Sequence, residues 1–443
     1  MSLNATPSSE RVHIGIFGKR NAGKSSLINA ITGQNLAIVS EAKGTTTDPV
    51  YKAMELLPLG PVMIIDTPGI DDEGVLGSLR IQKAYQVLNK TDIALVIIDA
   101  AVGPSAEDLR LIKRINAKKI PLLIVINKCE TINEDKKTAY QALLPNGKLL
   151  FVSAEQKLNI FELKEAITQT VPADENKAQI VADLLSPSDF VVLVVPIDSA
   201  APKGRLILPQ QQTIRDILEA DAAAIVVKEN ELTNTLQNLG KRPKLVITDS
   251  QVFKKVAAET PADILLTSFS ILFARYKYLM TSVTGSHWDD TDKVFLSHGF
   301  PEDKIIELHT KNPARAFQVA GPFEAVKLED GDKILVGEGC THHRQCDDIG
   351  TVKLPRWIKE YTGKNPEFIF TSGTEFPLDL SPYKMIIHCG ACMLNEREMQ
   401  YRIKCAADQN IPFTNYGITI AYINGILKRT VEPFPQIYKL LDK

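Results

Sequence analysis

Gly18-Lys19-Arg20-Asn21-Ala22-Gly23-Lys24-Ser25 is a glycine-bracketed loop ending in Gly-Lys-Ser, set between an apolar run from Val12 to Phe17 and apolar positions Leu27, Ile28 and Ile31 at helical spacing. A strand, such a loop and a helix in that order are what a phosphate-binding loop requires. Backbone N–H groups from Asn21 through Ala22, Gly23 and Lys24 to Ser25 are expected to converge on phosphate oxygens, with Ser26 in the first turn of the helix behind them. Gly18 opens the loop. Lys24 reaches the outer phosphates, and the Ser25 hydroxyl takes one position on Mg2+.

The remaining parts of a nucleotide site follow in order. Val62 to Ile65 form an apolar run ending in Asp66-Thr67-Pro68-Gly69. That places a carboxylate at a strand end, where it can hold Mg2+, and the Gly69 N–H at the terminal phosphate. Leu122 to Ile126 run into Asn127-Lys128-Cys129-Glu130, whose carboxylate can accept two hydrogen bonds from guanine but not from adenine. Phe151-Val152-Ser153-Ala154 closes the base pocket through Ser153 and Ala154, and Gly44-Thr45-Thr46-Thr47-Asp48 supplies a metal-directed hydroxyl, Thr46. The catalytic set is therefore Lys24, Thr46, Asp66 and Gly69. On these motifs, residues 12 to about 172 resemble a translation-factor-related GTPase domain of the Era and TrmE kind.

Two departures carry mechanism. Glu130 stands where the base-reading carboxylate is usually Asp, one methylene longer but still able to bind two N–H groups. Ile70 follows Gly69 where Ras-like proteins carry the glutamine that orients water, so intrinsic hydrolysis is expected to be slow. Asn21 resembles the asparagine by which some of these GTPases bind K+ beside the phosphates. The alternative is a loop residue stabilising its own turn.

A chain of 443 residues holds about three domains. The expected division is a P-loop GTPase domain at 1–175 and two further domains at 176–262 and 263–443, making an α/β protein whose two smaller domains have largely parallel sheets. Hydrophobic residues at 44% and charged residues at 23% describe a core-forming chain, and a net charge of -2 argues against a nucleic-acid partner. No apolar segment approaches the roughly 20 residues that span a bilayer. Met1 to Arg11 lacks the features of a targeting signal, so the cytoplasm is the expected compartment.

After a linker at Val171-Pro172-Ala173-Asp174-Glu175-Asn176, short apolar runs at Phe190–Val195, Ala223–Val227 and Leu245–Thr248 alternate with helical patterns at Gln210–Ala220, Leu232–Leu239 and Val252–Ala258. This predicts a small parallel sheet with a marginal core, for which pairing with a second copy is the natural cover and a rigid spacer the alternative. Further on, Lys333 to Val336 lead into Gly337-Glu338-Gly339-Cys340-Thr341-His342-His343, and Met385 to Ile387 into His388-Cys389-Gly390-Ala391-Cys392. If both runs are neighbouring parallel strands, their loops meet at one sheet end. Three thiolates with nearby imidazoles make a soft metal site, which suits either a Cys3His zinc or a 4Fe-4S cubane with an open iron. Of the other cysteines, Cys129 and Cys405 are expected to be structural.

At these residues, with Asp347-Asp348-Ile349-Gly350 and Thr414-Asn415-Tyr416-Gly417, the whole chain resembles the FeFe-hydrogenase maturation GTPases, the HydF family. The resemblance implies a homodimer whose third domain holds a 4Fe-4S cluster through Cys340, Cys389 and Cys392, the fourth ligand coming from His342, His388 or Asp347. It further implies a GTP-hydrolysing scaffold that receives a transient di-iron precursor from radical-SAM maturases and delivers it to apo FeFe-hydrogenase. Ser25, Thr46 and Asn21 would serve Mg2+ and K+. Cys346 departs from the expected pattern. A K+-dependent GTPase of RNA or ribosome maturation with a structural zinc domain is the alternative.

Overall fold

The computed structural model describes residues 6–33, 49–57, 59–69, 84, 86–144, 148–171, 179–197, 206–279, 327–339, 348–373, 375–409 and 411–438. They form two compact units, residues 1–175 and 176–443.

In the first unit six strands, β1 (Val12–Gly18), β2 (Val50–Leu56), β3 (Gly60–Asp66), β4 (Ile93–Asp99), β5 (Leu122–Asn127) and β6 (Lys148–Phe151), make one sheet in the order β2-β3-β1-β4-β5-β6. All neighbours are parallel except β2, which runs antiparallel to β3 at the edge. β5 is buried throughout and β4 almost so, because helices cover both faces of a parallel sheet. Alternate residues go to opposite faces. Ile14, Ile16, Leu95, Ile97, Leu123 and Val125 pack with Leu27, Ile28 and Ile31 of the helix Lys24–Thr32 and with Leu163 and Ile167 of the helix Ile160–Thr170. Phe17, Val96, Ile98, Ile124 and Ile126 pack on the other side with Leu111 and Ile115 of the helix Ala106–Ala117. That helix starts at a capping box in which Ser105 and Asp108 exchange side-chain-to-backbone hydrogen bonds. The described functional loops that follow β1, β3, β5 and β6 therefore leave the C-terminal edge of one sheet.

Among the described residues the second unit carries two four-stranded sheets, both wholly parallel. One is formed by β7 (Phe190–Val194), β8 (Ala223–Val227), β9 (Leu245–Thr248) and β10 (Leu265–Ser268) in the order β10-β9-β7-β8. The other is formed by β11 (Lys333–Glu338), β12 (Glu367–Ser372), β13 (Met385–His388) and β14 (Phe413–Asn415) in the order β12-β11-β13-β14. The α/β class with largely parallel smaller sheets thus holds. β10 lies beyond residue 262, where the second domain was expected to end, and is hydrogen-bonded to β9. A four-residue strand leading straight into the helix Phe269–Ala274 leaves no composition break to read.

The two sheets share one apolar core that runs from Val192, Ile247 and Phe253 through Ile271, Leu272 and Phe273 to Leu335, Ile386 and Phe413. Polar ties accompany it. Gly417 N donates to Ser270 Oγ at 3.0 Å, and Arg429 donates from Nη1 to Ala257 O at 2.6 Å and from Nη2 to Pro261 O at 3.0 Å. Gly417 has no room for a side chain there, because a Cβ would lie 2.8 Å from Ser270 Cβ and 3.0 Å from Ile271 N.

Candidate functional site

The phosphate loop joins β1 to the helix Lys24–Thr32, with Gly23 in a left-handed conformation (φ 86°) as the helix N-cap. A Cβ at Gly23 would sit 2.2 Å from Asn127 Nδ2, so only glycine lets the loop approach β5 this closely. Asn127 ties three loops together. Its Nδ2 donates to Ala22 O at 3.0 Å, and its Oδ1 accepts from Ala154 N at 3.1 Å. Ser153 is fully buried and its hydroxyl accepts from Gln156 N at 3.0 Å, which shapes the turn that presents Ala154. Lys128 donates from Nζ to Asn21 O at 3.0 Å and pairs with Asp99 Oδ2 at 2.6 Å. Asp99 was not singled out in the sequence, although a carboxylate at the end of the apolar run of β4 was the signal available. Asn21 itself holds a left-handed backbone (φ 62°). Glu130 lies exposed in the single turn Cys129–Thr131 beyond Lys128, whereas Cys129 is buried.

Lys24 Nζ donates to Gly18 O at 2.9 Å and Lys19 O at 2.8 Å. Ser25 Oγ donates to Asp66 Oδ2 at 3.4 Å. Asp66 Oδ1 is buried with no hydrogen-bond partner among the described residues, and burial raises its carboxyl pKa against the opposing pull of Lys24. A buried carboxylate oxygen without a partner beside a serine hydroxyl fits a hard divalent cation. Ser25 and Asp66 would hold Mg2+, directly or through water. Ser26 lies in the first turn of the helix and Gly69 beyond β3, as expected from their order in the chain. Thr46 and Ile70 lie outside the described residues.

At the second place of interest β11 and β13 are hydrogen-bonded neighbours with Gly337 opposite His388. Their C-terminal ends therefore emerge side by side. Cys389 N donates to Gly337 O at 2.9 Å, and Cys389 Sγ accepts from Gly339 N at 3.0 Å and Ala391 N at 3.3 Å. Ala391 adopts a left-handed backbone (φ 53°) that curls the loop back toward buried Cys392. Cys340, His342, Cys346 and Asp347 lie outside the described residues, and no cluster of three or more metal-ligating groups occurs among the described ones. Cys129, Cys389, Cys392 and Cys405 are not in disulfides.

His388 is fully buried, its ring stacked on Phe413. Nδ1 lies 2.9 Å from Cys389 O and Nε2 3.0 Å from Arg402 Nη1. Guanidinium can only donate, so Nε2 accepts and Nδ1–H donates to the carbonyl. Burial, and then the Arg402 charge, lower the imidazole pKa to about 3. With both nitrogens engaged, His388 presents no lone pair to a metal in this arrangement, unlike the ligand role expected for it. Asp348 is likewise committed, as a cap whose Oδ1 accepts from Thr351 N at 2.6 Å. Glu338 and Tyr416 were not anticipated. They are buried together with Tyr416 Oη 3.3 Å from Glu338 Oε1, and the phenol pKa is raised well above its ordinary value by burial first and by the nearby Cys389 charge second.

The glycine-cradled loop, the Ser25–Asp66 pair and the Asn127-Lys128 strand end define the class as a P-loop GTPase. A 50S ribosome-binding GTPase model matches residues 13–128. The tRNA modification GTPase MnmE of Acetivibrio thermocellus is 34% identical over 155 residues, 35% of this chain and 33% of that protein. GTPase Era of Heliobacterium modesticaldum is 30% identical over 164 residues, 36% of this chain and 54% of that protein. The chain thus spans about a third of the length of the MnmE relatives it matches. Era of Aquifex aeolicus, solved with GDP and aluminium fluoride, aligns over 52% of this chain and 98% of its own at 22% identity and a TM-score of 0.34. Downstream, the hydrogen maturase F dimerization domain matches residues 180–278 and the hydrogen maturase F tetramerization domain residues 317–433. With these two domains behind a GTPase domain, the chain belongs to the HydF family of hydrogenase-maturation GTPases. Its second and third sheets fall in domains named for oligomer assembly.

Proposed function

We propose that this GTPase is a carrier: it holds a 4Fe-4S cluster at the joined ends of β11 and β13, accepts a di-iron precursor from radical-SAM maturases, and passes it to apo FeFe-hydrogenase in the cytoplasm. One observation carries the reading. Gly339 N lies 3.0 Å from Cys389 Sγ, which sets the residue before Cys340 against Cys389, with Cys392 buried one turn on. Cys340, Cys389 and Cys392 would be the ligands, with His342 or Asp347 in the exchangeable fourth position. Backbone N–H groups on a cysteine sulfur are also what an iron–sulfur thiolate uses to tune its charge. The cluster, when bound, supplies an iron with a replaceable ligand to which the di-iron cargo can attach.

In the nucleotide site Lys24 would leave the carbonyls of Gly18 and Lys19 for the β- and γ-phosphates, and the backbone N–H groups of Gly23 to Ser25 would bind phosphate oxygens. Glu130 would read guanine, Asn21 would hold K+ beside the phosphates, and Gly69 and Thr46 would sense the γ-phosphate. The three functional regions would divide as nucleotide switch, dimer-forming sheet and cluster-bearing sheet. Anaerobic reconstitution followed by iron, sulfide and zinc analysis tests this. Expected are about four irons and four sulfides per chain; one zinc without sulfide would refute the carrier role.

A further inference from the structure

The helix Glu396–Asp408 carries Arg402, whose side chain is fully buried directly behind the His388-Cys389 turn. Its donors reach three groups. Nε and Nη2 reach Glu398 Oε1 at 3.0 and 2.9 Å, Nη2 also reaches Gly373 O at 2.8 Å, and Nη1 lies 3.0 Å from His388 Nε2. The guanidinium lies over the Phe376 ring, 5.0 Å from its centroid. Glu398 is buried as well, so the charge is neutralised within one helical turn. An exposed Glu–Arg pair four residues apart adds little to a helix; a buried one is costly to break, because removing one partner leaves the other charge buried and uncompensated.

From this arrangement we infer that Arg402 is a positioning residue for the cysteine loop, acting through His388. Arg402 fixes the imidazole tautomer, the ring's Nδ1–H holds Cys389 O, and Cys389 is then pinned at four points: its carbonyl by His388, its N–H by Gly337 O, and its sulfur by Gly339 N and Ala391 N. The space around the ring is equally committed. A Cβ at Gly337 would lie 2.7 Å from His388 Cδ2, so β11 must carry glycine where the ring crosses it. His388 therefore acts from beneath the loop, as a strut, instead of from the side that faces a ligand. The inference rests on the carrier reading for its purpose, but not for its geometry.

The test compares His388→Phe, His388→Gln and the double variant Arg402→Met with Glu398→Met in the full-length chain. The double variant replaces the buried ion pair with apolar side chains of similar size, so that no lone charge is left buried. Iodoacetamide labelling of the metal-free protein, followed by mass spectrometry, reads the rate at Cys389 against buried Cys129 in the other unit as internal reference. Loss of one hydrogen bond to a charged group corresponds to about a tenfold change. Labelling of Cys389 should rise about tenfold in His388→Phe and in the double variant, and return close to the parent rate in His388→Gln, which keeps one donor and one acceptor. Iron uptake on reconstitution should run the opposite way, falling in His388→Phe and the double variant and staying close to the parent in His388→Gln. If His388 were a metal ligand, both His388 variants would lose iron alike and the double variant would keep it, which would overturn the inference. Unchanged Cys389 labelling in His388→Phe would overturn it too, whether or not the double variant folds. Should the parent protein take up no iron, the carrier reading fails while the labelling contrast still decides the positioning role.

Discussion

Asn127→Ala removes the side chain that joins the phosphate loop to the base-reading loops. The donor to Ala22 O and the acceptor for Ala154 N both disappear, and Ala22 is only 2% exposed, so water cannot replace the first bond without opening the loop. Each buried backbone group left without a partner costs about 1–3 kcal/mol. Two of them, the second half-buried, sum to about 2–4 kcal/mol. For a unit of this size that is a fall of about 4–16 °C in melting temperature. The assay is calorimetry of the full-length chain, with the transition of the first unit identified by its upward shift on adding Mg2+ and GDP. Asn127→Asp separates the two bonds, because a carboxylate still accepts from Ala154 N but faces Ala22 O with no hydrogen to offer. It should lower guanine-nucleotide affinity at least as much as Asn127→Ala. A melting temperature within 1 °C of the parent for Asn127→Ala, with unchanged GDP affinity, would refute the view that this side chain holds the loops together.

Lys24→Ala should reduce GTP hydrolysis by about 100-fold or more, since it removes the ammonium expected to neutralise the outer phosphates; a fall below tenfold in a phosphate-release assay would count against it. Hydrolysis should be faster in KCl than in NaCl at equal ionic strength and Asn21→Ala should erase the difference, while equal parent rates in the two salts would remove Asn21 from the cation site. Cys340→Ala, Cys389→Ala and Cys392→Ala should each lose most of the iron on reconstitution and Cys405→Ala should keep it, as measured by metal analysis. Asp66 has a folded pKa raised by burial, so its contribution to stability is present below the unfolded pKa and lost as pH rises through the folded one. Asp66→Asn should therefore raise the melting temperature of the nucleotide-free first unit at pH 7 and flatten its decline with rising pH; a lower melting temperature would contradict the assigned direction.

Local chemistry made the first half legible. Gly18 to Ser25 must be a loop ahead of a helix because its glycines and the spacing of Leu27, Ile28 and Ile31 allow little else, and the apolar runs ending at Asp66 and Asn127 must be strands buried on both faces. The same rule placed Cys340 and Cys389 at the ends of two strands, which the sheet confirms as neighbours for β11 and β13. What residues 388 and 402 do could not be read this way. Arg402 lies in a polar helical pattern, where a Glu–Arg pair four residues apart ordinarily faces water, and His388 beside Cys389 reads as a ligand. Only the packing of the helix Glu396–Asp408 beside β14, which brings Arg402 to His388 at the end of β13, buries both and turns one into the support of the other. Likewise Asn127 finds Ala22 across 105 residues, and β10 joins the second sheet beyond any break in composition. Sequence specifies which face of an element is apolar and what each side chain can donate or accept; which donor meets which acceptor depends on contacts between segments far apart in the chain, and these exist only once the sheets have assembled.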